Sequence, residues 1–236
     1  MIIITGASNN HFKTLNEFLS SIRKFKNNII EKVIVYDLDI IDEHWDLIQK
    51  TFKESNFVFK KFDYKNYPEW YNININAGEY AWKPAIINEC SLDYENNILV
   101  WMDSGNLIKG HNELNNLKLV IEYECIHTVL TSGNINLWTH KDTIEYLNAN
   151  NLINYNNRNG ACIGFNLKKK WVKDFIEEYN YFCGIKECIA PEGSSRKNHR
   201  QDQSVLTILY YKYKNKYKFK KYINYNETCN NKFYSI

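Results

Sequence analysis

The residues best placed to do chemistry sit where the chain's order stops. Five apolar residues, Ile98 to Met102, read as a strand buried on both faces, and the run ends on Asp103-Ser104-Gly105-Asn106. Ser-Gly-Asn is turn chemistry, so the carboxylate stands at the strand's carboxyl end. In an open α/β sheet, ligands collect outside that edge. Asp103 therefore either caps the turn or presents an oxygen to a metal ion, a ribose hydroxyl or a reacting group. Asp202 is the second candidate. It opens an apolar helix directly after a loop of Pro, Gly, Ser, Arg and Lys. An acid there stabilises the helix dipole by about 0.3–1 kcal/mol, or reaches across to the edge that carries Asp103. Asp37, ending a second apolar run, poses the same choice between a turn acid and a contact to a ribose or base.

The elements that must position these groups follow from periodicity. Ile2-Ile3-Ile4 is a short buried strand, and Thr5 to Asn10 is a glycine-containing loop. Phe12, Leu15, Phe18, Leu19 and Ile22 then recur at helical spacing. Residues 31–36 form a second buried strand, 43–52 a helix and 57–62 an alternating strand. The order β-α-β-α-β predicts a parallel sheet with right-handed crossovers. Residues 63–76 read as a loop whose Tyr64, Tyr67, Trp70 and Tyr71 either pack it against the core or form a platform for a sugar face. A helix from about Ala81 tolerates Pro84 in its first turn. Beyond the Asp103 strand the spacing predicts a helix over 112–123, a strand over 128–131, and a helix over 142–149 capped by Thr139. The Asn-rich segment 150–159 reads as a loop, and 160–166 as a strand with two glycines, which often mark close approach. Helices follow over 170–182 and 202–211. The alternating Tyr/Lys tail, 210–222, reads as a half-buried edge strand whose lysines block pairing, and residues 210–236 as a tail that completes the sheet edge.

The chain has 236 residues, 44% of them hydrophobic and 15% aromatic, enough for one large core, so one domain over 1–236 is expected. A net charge of +3 does not call for nucleic acid. Six cysteines without a CxxC pair predict reduced, mostly buried thiols. No run approaches a transmembrane span, and no leader pattern is visible, so the default expectation is a cytoplasmic protein.

Four stretches taken together resemble nucleotide-sugar glycosyltransferases of the GT-A fold, closest to capsular-polysaccharide-type transferases and their eukaryotic relatives. The first is the apolar strand ending on Asp103-Ser104-Gly105, similar to the usual Asp-any-Asp motif but without its second acid. The second is Tyr80 followed by Trp82-Lys83-Pro84. The third is Asn159-Gly160 leading into Ile163-Gly164-Phe165-Asn166. The fourth is His199-Arg200-Gln201-Asp202-Gln203-Ser204 before an apolar helix. A rival likeness, Thr5-Gly6-Ala7-Ser8 as the start of a short-chain dehydrogenase, lacks the further glycines that family needs.

The glycosyltransferase resemblance implies a single GT-A-like α/β domain that moves a sugar, hexosyl-like, from a nucleoside diphosphate to a hydroxyl of a glycan, protein or small molecule. It places the base and ribose near Ser8, Asn9 and Asp37, Lys83 against the diphosphate or the sugar, and His199 or Arg200 on phosphate or sugar oxygens. Asn159 and Gly160 pass beneath donor sugar and acceptor, Ser104 and Gln203 join the donor site, and the chemistry falls at Asp103 and Asp202. A divalent cation, Mn²⁺ or Mg²⁺, is expected on Asp103 with His199 or Asp202 as an added ligand. Arg196 and Lys197 either cover the diphosphate or form a solvated pair. The missing second acid keeps another reading open, a GT-A scaffold that binds a glycan or nucleotide without turnover.

Overall fold

The computed structural model describes residues 1–25 and 28–219. Six strands form one sheet: β1 (Ile2–Ala7), β2 (Lys32–Asp37), β3 (Phe57–Lys61), β4 (Ile98–Met102), β5 (Ile126–Asn134) and β6 (Asn156–Asn166). Their order is β3-β2-β1-β4-β6-β5. β3, β2, β1 and β4 run parallel, while β6 is antiparallel to both of its neighbours. This is the mainly parallel sheet expected, and strand order reverses direction between β1 and β4, the place where such folds open a crevice.

Successive side chains of β1 supply opposite faces, as a period of two requires. Ile3, Val33, Val35, Val100 and Met102 pack against α1 (Phe12–Lys24), α2 (Asp42–Thr51) and α4 (His111–Glu124). Ile2, Ile4, Ile34, Tyr36, Leu99 and Trp101 pack against α3 (Trp82–Asp93), α7 (Lys170–Cys183) and α9 (Gln201–Tyr217). Short helices α5 (Ile135–Trp138), α6 (Lys141–Tyr146) and α8 (Lys186–Ile189) complete the far side. Gly164 lets α4 come close: a β-carbon there would lie 2.3 Å from Ile121 Cδ1.

Three expectations need correction. The tail is helical as far as Tyr217, and 220–236 lies outside the described residues. Tyr210, Tyr213 and Tyr217 are spaced i, i+3, i+7, so a Tyr/Lys alternation that mimics period two also makes a helix face. That face packs on Trp171 and Phe175. Helix α6 is capped by His140, whose side chain accepts from the Asp142 N–H, rather than by Thr139, which is buried. The segment expected to be a loop over 150–159 already enters β6 at Asn156. Of the cysteines, Cys90, Cys125, Cys162, Cys183 and Cys188 are free and buried, and Cys229 lies outside the described residues. No helix among the described residues is long and apolar enough to cross a membrane.

Candidate functional site

At the carboxyl edge of the parallel strands lies a cleft of about 730 Å³. The end of β1 and the segment after it contribute Gly6 to His11, the turn after β2 Leu38 and Asp39, and the turn after β4 Asp103 to Gly105. Ile73, Asn74, Ala77, Tyr80, Trp82, Lys83 and Arg196 close it. Ser8, Asn9, Lys83, Asp103 and Ser104, expected at a common site, do meet here.

The floor is organised by Lys83. It extends from the first turn of α3 and is almost wholly buried. Its Nζ lies 3.1 Å from Asp103 Oδ1 and 3.4 Å from Asp202 Oδ2, and donates to the Gly160 carbonyl at 3.2 Å. An ammonium has three protons, so α3, β4, β6 and α9 are tied at one atom. Burial works against the charge, but the two carboxylates outweigh it and hold the Lys83 pKa above its ordinary value. The Lys83 donors are thus engaged by Asp103, Asp202 and Gly160, while the residue lines the cleft.

Asp103 is held on one side only. Oδ1 accepts from the Trp101 indole N–H at 2.6 Å as well as facing Lys83. Oδ2 takes part in neither contact, and the side chain is 41% exposed to the cleft. The backbone N–H of Asp103 donates to the Ala161 carbonyl, and Asn106 fixes the turn by donating to the carbonyls of Asp103 and Ala161. Asn159 Oδ1 accepts from the Ala161 N–H, and the Gly160 N–H donates to Gln203 Oε1 at 3.4 Å. Asn159, Gly160 and Gln203 thus buttress the floor.

Asp202 makes no capping hydrogen bond at the start of α9, it is not among the residues lining the cleft, and it meets the Asp103 edge through Lys83. It is buried beneath Lys83, where Oδ2 also accepts from the Tyr179 hydroxyl at 3.0 Å. Burial raises its pKa, with repulsion from Asp103 adding and Lys83 and Tyr179 opposing. Its place is that of a counter-charge for Lys83.

His199 and Arg200 are also redirected. Nδ1 of His199 accepts from the His140 N–H at 3.1 Å, and Nε2 donates to the Ile189 carbonyl at 2.7 Å. Burial pushes its pKa down to about 4. With both ring nitrogens engaged, it has no lone pair for a metal. The Arg200 guanidinium stacks on the Trp138 ring at 3.9 Å. Asp37 is a turn acid: Oδ1 accepts from the N–H groups of Asp39 and Ile40 at 2.9 and 2.6 Å. The cleft acid is Asp39, two residues on, whose Oδ2 accepts from Asn74. A strand followed by Asp-Leu-Asp leaves open which acid turns outward, and only the observed backbone (Asp39 at φ 106°) decides it.

Arg196 lines the cleft and donates to the Tyr80 hydroxyl, while Lys197 is not among the lining residues. Tyr80 belongs to a feature that sequence reading missed. Asn76, Ala77, Gly78, Glu79 and Tyr80 all have φ between 47° and 61°, a complete left-handed turn. For residues with a β-carbon this costs roughly 1–2 kcal/mol each. The turn is pinned by the Trp82 indole donating to the Ala77 carbonyl at 3.0 Å. Gly78 is obligatory within it, since a β-carbon there would lie 2.1 Å from the Tyr71 carbonyl oxygen. Gly78-Glu79 before Tyr80 was the only local signal, and it reads as an ordinary loop.

A family model described as a protein of unknown function (DUF1647) matches residues 1–88. No curated protein matches the sequence. Among solved structures, the apo form of the bifunctional glycosyltransferase WbbM superposes with a TM-score of 0.58 at 15% identity, over 90% of this chain and 37% of that one. The galactosyltransferase LgtC, in complex with donor and acceptor sugar analogues, gives 0.59 at 15% identity, over 89% of this chain and 70% of that one. Mouse xyloside xylosyltransferase 1, apo, gives 0.53 at 7% identity, over 89% and 81%. The fold is GT-A-like. The chain spans little more than a third of WbbM and most of the other two.

In GT-A terms the sheet order sets the polarity of the cleft. Asp39 and the loop Ser8–Asn9 lie at its β2/β1 end, and Asp103 with the Lys83 floor at its β4/β6 end. Among the described residues no group of three His, Cys, Asp or Glu side chains converges as a metal cage. One carboxylate oxygen, Asp103 Oδ2, together with the net acidity of two carboxyl groups sharing one ammonium, suits a Mg²⁺ or Mn²⁺ ion that arrives with a diphosphate, since such ions take one or two carboxylates and fill their shell with phosphate oxygens and water.

Proposed function

We propose that the protein is a glycosyltransferase that binds a nucleoside diphospho-sugar in this cleft and passes the sugar to an acceptor hydroxyl. The observation that carries the reading is the convergence of Ser8, Asn9, Asp39, Lys83 and Asp103 on one crevice at the β1/β4 switch point. On this reading the base and ribose lie against Ser8, Asn9 and Asp39. The diphosphate lies beside Asp103 and Ser104, with Arg196 over it as a cation. Asp103 Oδ2 would hold a divalent ion, which offsets the charge of the departing diphosphate. Lys83 fixes the Asp103 carboxylate so that this oxygen is already aimed before the donor arrives, and preorganised charge of this kind is commonly a large part of rate enhancement. The acceptor is a glycan, a protein or a small molecule.

Incubation with a panel of UDP- and GDP-sugars and Mn²⁺ should release nucleoside diphosphate, and Asp103→Ala should abolish the release. Absence of nucleotide binding at this cleft sinks the proposal. A second reading, binding without turnover, is favoured by the single acid of Asp103-Ser104-Gly105. It predicts nucleotide affinity with no release.

A further inference from the structure

Beside the donor cleft lies a second one, of about 560 Å³, and the two share Ala77, Tyr80 and Arg196 as a common wall. The wall is the left-handed turn, with Arg196 donating across to the Tyr80 hydroxyl. Glu79 supplies the one carboxylate among the described residues lining the second cleft, which also holds Ser194, Ser195, Gln201 and Lys186.

Resting on the donor reading of the first cleft, we propose that the second cleft receives a glycan acceptor and that Glu79 is the catalytic residue that takes the proton of its attacking hydroxyl. On the donor reading the other acids near the first cleft have other places: Asp39 accepts from Asn74 at the β2 end, Asp103 is held through Oδ1 by Trp101 and Lys83 with Oδ2 kept for the divalent ion, and Asp202 lies under Lys83. Glu79 is half-buried, and its Oε2 accepts a single long bond from Gln201 Nε2 at 3.4 Å, a bond that leaves Oε1 to the cleft. Its backbone sits in the left-handed region, φ 47°, inside the strained turn that forms the wall. Strain of this kind persists only where surrounding structure enforces it, and it gathers at functional sites. Here it turns Glu79 to one cleft while Tyr80 lines both. One carboxylate beside two amides, three hydroxyls and two cations is a lining that hydrogen-bonds the several hydroxyls of a sugar.

The step balances as a single displacement. The acceptor oxygen bonds to the anomeric carbon and its proton passes to a Glu79 oxygen. The bond from the anomeric carbon to the phosphate oxygen breaks, and its electron pair leaves with the nucleoside diphosphate. Attack from the side opposite the leaving group inverts the anomeric centre.

The test compares the wild type with Glu79→Gln and Glu79→Ala, using the UDP- and GDP-sugar panel with Mn²⁺ and methyl glycosides of common hexoses as acceptors. Nucleotide affinity is measured by calorimetry and product configuration by NMR. Both variants should bind nucleoside diphosphate and melt as the wild type does, transfer should fall at least about a hundredfold, and the wild-type product should be inverted. Variants that transfer at the wild-type rate, variants that lose nucleotide affinity, or a product that retains configuration overturn the role of Glu79. Nucleotide binding by the wild type without any transfer overturns it too, while leaving the donor cleft standing. A wild type that binds no nucleoside diphosphate defeats the donor reading, and this one with it.

Discussion

Replacing Lys83 by Met separates two roles that give opposite signatures. Met keeps most of the side chain's length and apolar volume but removes the ammonium. Asp202, with a side chain only 6% exposed, is then left with the Tyr179 hydroxyl alone. Breaking one partner out of a buried ion pair costs about 3–5 kcal/mol. For a domain of this size that amounts to a fall of roughly 6–20 °C in melting temperature. The penalty depends on pH in a definite direction. Burial already raises the Asp202 pKa, and loss of Lys83 raises it further, so the folded variant binds a proton more readily than the unfolded chain. Its stability therefore recovers as pH falls through the raised folded value towards the unfolded one, and the deficit is largest at neutral pH. Urea unfolding of Lys83→Met, Asp202→Asn and the double variant at pH 7 and pH 5 measures this. Asp202→Asn should rescue much of the Lys83→Met loss, because an amide needs no counter-ion. A Lys83→Met protein within about 1 kcal/mol of the wild type, but with weakened nucleotide affinity, would show Lys83 to be a phosphate ligand and refute the account of a committed ammonium.

Four other perturbations test the remaining framework. His199 is buried neutral with its pKa pushed down to about 4, so protonation favours the unfolded chain. Its contribution should be complete above pH 6.5 and decline by up to about 3 kcal/mol as pH falls towards 4, a slope that His199→Gln should flatten in urea titrations. Gly164→Ala drives a β-carbon to 2.3 Å from Ile121 Cδ1 and should cost about 1–3 kcal/mol by thermal unfolding, with Ile121→Ala in the same chain recovering part of it. Asp39→Ala should weaken nucleoside diphosphate binding about tenfold by calorimetry with little change in stability, the loss of about one charge-assisted hydrogen bond. Asp37→Ala should do the reverse, since its carboxylate accepts from two backbone N–H groups in the turn.

The sequence by itself determined the layers of this protein. Apolar runs such as Ile98 to Met102 and the spacing of Leu15, Phe18, Leu19 and Ile22 fix which segments are strands and which are helices, because each period admits one way of burying its apolar face. The resemblance carried by its motifs also marked Ser8, Asn9, Lys83, Asp103 and Ser104, which meet in one cleft, together with Asp37, His199 and Asp202, which do not line it. What tertiary structure alone decided is the use of each polar group. Whether Lys83 faces a ligand or two carboxylates depends on α9 bringing Asp202 beneath it from well over a hundred residues along the chain. Whether Asp37 or Asp39 looks outward depends on one positive φ. The Tyr/Lys alternation fits a strand or a helix, and packing of Tyr213 and Tyr217 on Trp171 chose the helix. The left-handed turn that carries Glu79 and Tyr80 runs against local preference at almost every residue. No local pattern announces such a backbone, because the adjoining Trp82 pins it only in concert with Arg196 and Gln201, which are distant in sequence.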